Sequence, residues 1–180
     1  NLVFKGTNSI QPEETSYAVV SGVFYVGGVI GVLAFTTLTI ENPIIITTNV
    51  SGTLYGIGGF CGYMVSSVCN LTNLQFSETM AVNGSNQVGG VIGEIYTSEV
   101  NGPTEIDFTN GNQSALPNFN DLSSLFNGKV NGTKDVGGFA GNINGGSVKG
   151  FAVNANVTGS TNVGGFAGNI RLRDSDDHVS

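Results

Sequence analysis

The chain has no tryptophan, a single histidine (His178) and few charges. Only 11% of its 180 residues are Asp, Glu, Lys or Arg, about half the share usual in globular domains. Each shortage removes a class of function. Six Lys and Arg against thirteen Asp and Glu leave a net charge of −7. Phosphate backbones need a basic surface, so nucleic acid is excluded as a partner. The two cysteines, Cys61 and Cys69, form no CxxC pair and no zinc-spaced cluster with histidine. No metal and no cofactor is therefore expected. Two readings stay open for them, a disulfide across one corner or a pair of buried, inert thiols.

The start at Asn1, with Lys5 as its one basic residue, has no basic n-region, so no signal peptide is read there. The chain is taken as a mature protein or a fragment. Long hydrophobic runs are scarce. Residues 17–40 carry no charge and have the length of a membrane span, but glycine and threonine dilute them, and the repeat below explains them better. No membrane span is expected. Strong helix formers are few. Asn, Ser and Thr fill most polar positions, and alternation of uncharged polar with small apolar residues suits stacked β-structure.

Glycine is what the chain has in quantity, with 28 copies, and its placement is periodic. Five segments follow one pattern, V-[S/N/T]-G, then three or four residues, then [V/I]-G-G-[V/F]-x-G. The second parts are Val26 to Gly31, Ile57 to Gly62, Val88 to Gly93, Val136 to Gly141 and Val163 to Gly168, preceded by Val20, Val50, Val82, Val130 and Val157. The spacings are 31, 31, 48 and 27 residues. A period near 30 residues is a solenoid signature. The fold predicted is an all-β parallel β-solenoid, right-handed, of about five coils with three short strands each. It forms one domain over residues 1–180. The long spacing places a loop insertion within 110–127, where Asn120-Asp121 is read as the cap of a short helix over Leu122 to Phe126.

Strand alternation assigns Val29, Phe60, Val91, Phe139 and Phe166 to the interior, together with Leu33, Met64, Ile95, Ile143 and Ile170 two residues beyond the last glycine. Val32, Tyr63, Glu94, Asn142 and Asn169 then point outward. So do Ile30, Cys61, Ile92, Ala140 and Ala167, a smooth apolar strip that suggests lateral contact with another chain. The Gly-Gly pair is read as a bulge or corner needing φ > 0. A third strand ends in Ile44 to Ile46, Leu74 to Phe76, Ile106 to Phe108 or Phe151 to Val153, with Leu2 to Phe4 as its copy in an earlier coil. Cys69 or Val68 is expected to align with the inward Leu38, Val100 and Val148.

The VGGFAGNI segments at Val136 to Ile143 and Val163 to Ile170 resemble the GLUG repeat of large microbial surface proteins. The resemblance spans nearly the whole chain. It implies an extracellular or cell-surface, adhesin-like stalk, and it implies no catalytic residues.

Other constellations weigh less. G-G-x-x-G lacks the first glycine and the following helix of a dinucleotide loop. Asp174, Asp176, Asp177 and His178 read as a solvated tail. Glu105 and Asp107 share a strand face, but a glycan-cleaving site converges more groups than these, so no enzyme is expected. Six N-x-[S/T] sequons start at Asn49, Asn70, Asn83, Asn112, Asn131 and Asn156, and are candidates for glycans in a secreted protein. Asn49, Asn83, Asn131 and Asn156 should share one outer wall. The sequence begins and stops part-way round a coil with neither end capped. The function expected is a structural subunit or segment of a filament or stalk, assembled head to tail or continued by further repeats. The alternatives are an adhesin binding a host glycan or protein and, last, a polysaccharide-active enzyme.

Overall fold

The alternating pattern folds into a parallel β-solenoid of about four turns. The computed structural model describes residues 2–4, 19–102 and 126–171. The five motif copies delimit the four turns. Among the described residues there are twenty short strands and no helix, so no helix long and apolar enough to cross a membrane occurs there.

Four walls run along the axis. The first is β2 (Val19–Gly22), β7 (Asn49–Gly52), β12 (Ala81–Asn83), β15 (Lys129–Asn131) and β18 (Asn156–Thr158). The second is β3 (Val26–Gly27), β8 (Tyr55–Gly58), β13 (Asn86–Gly89), β16 (Lys134–Gly137) and β19 (Thr161–Gly164). The third contains β4 (Ile30–Ala34), β9 (Cys61–Val65), β14 (Ile92–Asn101), β17 (Ala140–Lys149) and β20 (Ala167–Arg171). Its far half is extended by β1 (Leu2–Phe4), β5 (Thr37–Ile40) and β10 (Val68–Asn70). The fourth is β6 (Ile44–Ile46) on β11 (Leu74–Phe76), continued by a bridge from Phe126 to Val153. A complete coil thus contains five short segments, more than the three read from the sequence, because the third wall bends in its middle.

Equivalent residues stack in register. Val26, Ile57, Val88, Val136 and Val163 form one column. Val20, Val50, Val82, Val130 and Val157 form another. Leu33, Met64, Ile95, Ile143 and Ile170 form a third. Their central members are buried together with Phe60, Phe126 and Phe139 in one continuous core. Phe139 stacks parallel on Phe166, centroids 5.0 Å apart, and contacts Phe151. Such contacts add to the transfer of ring area out of water.

The left-handed backbone lies elsewhere than expected. No motif glycine has a positive φ. The residue before the motif Val or Ile has it instead, at Tyr25, Gly56, Gln87, Asp135 and Asn162, with φ of 49°, 72°, 53°, 52° and 53°. A second such column, Phe35, Ser66, Thr97 and Gly145, bends the third wall. Just past that bend the buried Ser67 and Ser98 are satisfied in a ladder. The Thr36 N–H donates to Ser67 Oγ (3.2 Å), and the Ser67 N–H donates to Ser98 Oγ (3.1 Å).

The motif glycines serve close approach. Gly58 and Gly89 of the second wall lie against the backbone of Cys61 to Gly93 and of Ile92 to Ala140. Gly93 and Gly141 of the third wall lie against the backbone of Gly56-Ile57 and of Gln87-Val88 in the preceding coil. This corrects the lateral strip. Cys61, Ile92 and Ala140 are buried and Ile30 and Ala167 are half-buried, because the protein's own glycine-bearing strand covers the column. Asn142 is likewise buried, where an outward position was read.

One alignment also changes. Leu2–Phe4 pairs with Leu38 to Ile40, so it continues the third wall, not the fourth. Phe126 stands in the fourth wall, and Ile106 to Phe108, read as a strand of that wall, lie outside the described residues. Phe126 is buried, bridges Val153 and packs edge-on against Phe76 at 5.3 Å. Phe126 belongs to the coil as a bridge residue. Residues 110–125 of the segment read as insertion, with the helix read over Leu122 to Leu125, lie outside the described residues, as do Glu105, Asp107 and Asp174 to His178.

Candidate functional site

Three places on the solenoid bear on function: its two end coils, its asparagine-bearing walls, and an aromatic cluster on one side. The end coils differ from the middle in burial and in strand pairing. Val163, Phe166 and Ile170 are 45%, 36% and 66% exposed, whereas Val136, Phe139 and Ile143, their counterparts one coil earlier, are buried. In the first described coil, Val19, Val29, Val32 and Phe35 are also exposed. Among the described residues, strands β18, β19 and β20 pair on one side only, as do β2, β3 and β4. A column of glycines shows how one coil receives the next. A side chain on Gly28 would strike the carbonyl oxygen of Gly59, and Gly59, Gly90 and Gly138 face Gly90, Gly138 and Gly165 in the same way. Beyond Gly165 there is nothing within 4 Å.

The five described sequon asparagines sit on outer faces, half-buried or exposed. Asn49, Asn83, Asn131 and Asn156 lie on the first wall and Asn70 on the third. Several are tied into ladders between coils. Asn70 Nδ2 donates to Thr39 Oγ1 (3.1 Å), while its Oδ1 accepts from Asn101 Nδ2 (3.0 Å). Asn131 Nδ2 donates to Asn83 Oδ1 (2.9 Å), and Asn49 Oδ1 accepts from the Ala81 N–H (2.7 Å). Amide ladders of this kind fix register between flat strands, a structural use the sequons do not advertise.

The cysteines are not bridged. Cys69 aligns with Leu38 and Val100, so it, not Val68, is the inward residue. Both thiols are free and buried. Burial pushes the Cys61 thiol up to about 12 and raises that of Cys69 as well. Thiolate is the reactive form. At pH 8, Ellman's reagent should therefore find no thiol in the folded chain and two after denaturation; fast labelling of native protein would contradict the packing.

The aromatic cluster was not visible as a site in the sequence. The chain has five tyrosines, and four gather on one side of the solenoid. Tyr25 and Tyr63 stack at 4.8 Å with planes 26° apart. Tyr55 meets Tyr25 edge-on at 5.6 Å and Phe24 at 4.8 Å. Tyr96 is a further neighbour of Tyr63. The left-handed Tyr25 backbone places its ring over Gly56, where a side chain would collide with it. Glu94 follows Tyr63 in the same column. Burial raises its carboxyl pKa, opposed by a hydrogen bond from Asn142 Nδ2 to Glu94 Oε1 (3.0 Å). Burial and the charge of Glu94 in turn raise the Tyr25 and Tyr63 phenols. Asn142 Oδ1 is buried without a hydrogen-bond partner. Among the described residues no group of three or more His, Cys, Asp and Glu is placed to hold a metal.

No family model, no curated protein and no solved structure matches this chain.

Proposed function

We propose that the chain is a structural segment of an extracellular or cell-surface filament or stalk, lengthened by stacking coil upon coil at its ends. The carrying observation is the burial contrast between identical positions. Val163, Phe166 and Ile170 are exposed, and among the described residues no strand pairs with β18, β19 or β20 on their outer side. A motif that has already stacked on itself four times offers, at β18, β19 and β20, the same edge that each inner coil offers its successor. Backbone hydrogen bonds and column burial would then hold the added coil, a form of strand addition. Contacts between unlike ends build open fibres where their rotation does not close a ring, and coils added along one axis advance without closing. Scarce charge, amide ladders and the resemblance to GLUG repeats agree with a surface stalk.

Gly165 supplies the test. An alanine there meets no atom of the described residues, yet by analogy with Gly138 it would meet the Gly28 carbonyl oxygen of an incoming copy. Purified chain should form uniform fibres at high concentration in negative stain. Gly165→Ala should fold with unchanged circular dichroism and need at least tenfold more protein to assemble. Dispersed monomers of the unaltered chain at high concentration would sink the reading.

A further inference from the structure

We propose that two stacked copies of the chain share one coil: β1 of the arriving copy seats on the far half of β17 and completes the coil that β18, β19 and β20 begin. The inference rests on the stacking reading above and deepens it, naming a second copy as the partner and β1 as the strand that docks.

The two ends of the solenoid are stepped. The first wall, the second wall and the near half of the third (β4, β9, β14, β17 and β20) each run from the coil of β2 to the coil of β18. The far half of the third wall runs from β1 through β5 and β10 to the second halves of β14 and β17. It has as many levels and is displaced by one coil. At one end β1 lies beneath β5, while no described strand lies beneath β2, β3 or β4. At the other end β20 covers Ala140 to Asn144 of β17, and no described strand covers Gly146 to Lys149. A projecting strand at one end thus answers a notch at the other.

Val148 marks the notch. Register runs from Leu2 through Leu38, Cys69 and Val100 to Val148. Leu38, Cys69 and Val100 are fully buried, whereas Val148 is half-buried. If a second copy adds β2, β3 and β4 to β18, β19 and β20 in the register already used between coils, its β1 falls on β17 with Leu2 at Val148 and Val3 at Lys149. The backbone pattern continues there as well. The Gly102 N–H donates to the Lys149 carbonyl oxygen one coil on (2.8 Å), and the Gly150 N–H would donate in the same way to Val3 of the arriving copy.

The sequence beyond β20 is a poor match for that place. Carried forward, the register of Arg171 on Asn144 sets Ser175 against Val148 and Asp177 against Gly150. A carboxylate in an apolar column bears a large desolvation cost. Leu2 and Phe4 instead repeat the residue type of Leu38 and Ile40, their buried register partners.

Cross-linking between copies tests the shared coil. Val3 stands at the register of Thr39, Asn70, Asn101 and Lys149, which are half-buried or exposed. Neighbouring strands lie about 4.8 Å apart, within the roughly 4.4–6.8 Å that a disulfide spans between Cα atoms. Full-length chain carrying Val3→Cys and Lys149→Cys, assembled and oxidised with copper phenanthroline, should run without reductant as a ladder of covalent multimers. Cys61 and Cys69 are buried and do not compete. A second double variant, Ser21→Cys with Thr158→Cys, aligns in the same way between β2 and β18 and reports stacking itself. A third, Val3→Cys with Lys134→Cys, sets the thiols on different walls and should give at least fivefold less multimer than the first. Circular dichroism unchanged from the parent shows that each variant is folded. A ladder from Ser21 and Thr158 but none from Val3 and Lys149 overturns the shared coil and leaves the stacking reading standing. No multimer from either pair counts against both. Equal multimer from the mismatched pair means chance collision and also overturns the shared coil.

Discussion

Gly93→Ala is expected to abolish the native fold, while the same change at Gly165 is expected to leave it intact. The motif glycines look alike in sequence and differ in what surrounds them. A methyl on Gly93 would run into the backbone of Ile57 and Gly56 and come within 2.5 Å of the Gly62 carbonyl oxygen. None of these is a flexible side-chain end. To make room, the third wall must separate from the second, which breaks the stacking of Val88 on Ile57 and opens the core column. Overpacking that side chains can absorb costs about 1–3 kcal/mol. A clash against fixed backbone belongs to the rarer losses above about 4 kcal/mol, comparable with the whole stability of many domains. A methyl on Gly165 would meet no described atom within 4 Å, and its φ is not positive, so alanine there is neutral or slightly stabilising through the unfolded chain. Urea unfolding followed by far-ultraviolet circular dichroism separates the two. Two-state unfolding of Gly93→Ala with a midpoint near that of the parent would refute the close-approach account of the motif.

The second large effect concerns Phe126. Its ring is fully buried, faces Phe76 edge-on and lies at the bridge to Val153. It thereby closes the fourth wall across the break in the regular spacing. Truncation to alanine leaves a ring-sized void between two coils that cannot collapse onto each other without losing register. Phe→Ala at such sites costs about 3–5 kcal/mol, and each kcal/mol lowers Tm by roughly 2–4 °C in a chain of this size. Phe126→Leu should recover most of the loss. Calorimetry checks both, and a Tm within a degree of the parent for Phe126→Ala would mean that the ring is not part of the core.

Repetition made the columns legible and left the local phase uncertain. Valines and the one isoleucine that lie six or seven residues apart within a unit, and one coil apart between units, can be counted, so Val26 to Val163 and Val20 to Val157 align as read. The strip at Ile30, Cys61, Ile92, Ala140 and Ala167 was misread because alternation assumes that one face of a strand meets solvent. Here the glycines of the second wall pack on that face, and glycine leaves no side chain in the sequence to announce the contact. Phe126 was missed for a related reason. The insertion hides its alignment, although its four-residue lead on Val130 matches that of Ile46 on Val50 and Val153 on Val157. The tyrosine cluster had no signature at all. Tyr25, Tyr55, Tyr63 and Tyr96 occupy unrelated places in the repeat and meet only because coils superpose and the Tyr25 backbone is left-handed.

The glycine column that leads from Gly28 to Gly165 has a direction: Gly28, Gly59, Gly90 and Gly138 each face the carbonyl of the coil that follows and never the one before. A chain stacked in this way has a receptive tip and a non-receptive base. Gly165→Ala protein keeps an unaltered base, so it could dock once onto a wild-type tip and then refuse the next arrival. A small fraction of such protein mixed with wild type would shorten fibres out of proportion to its amount, as a terminator does in any polar polymerisation.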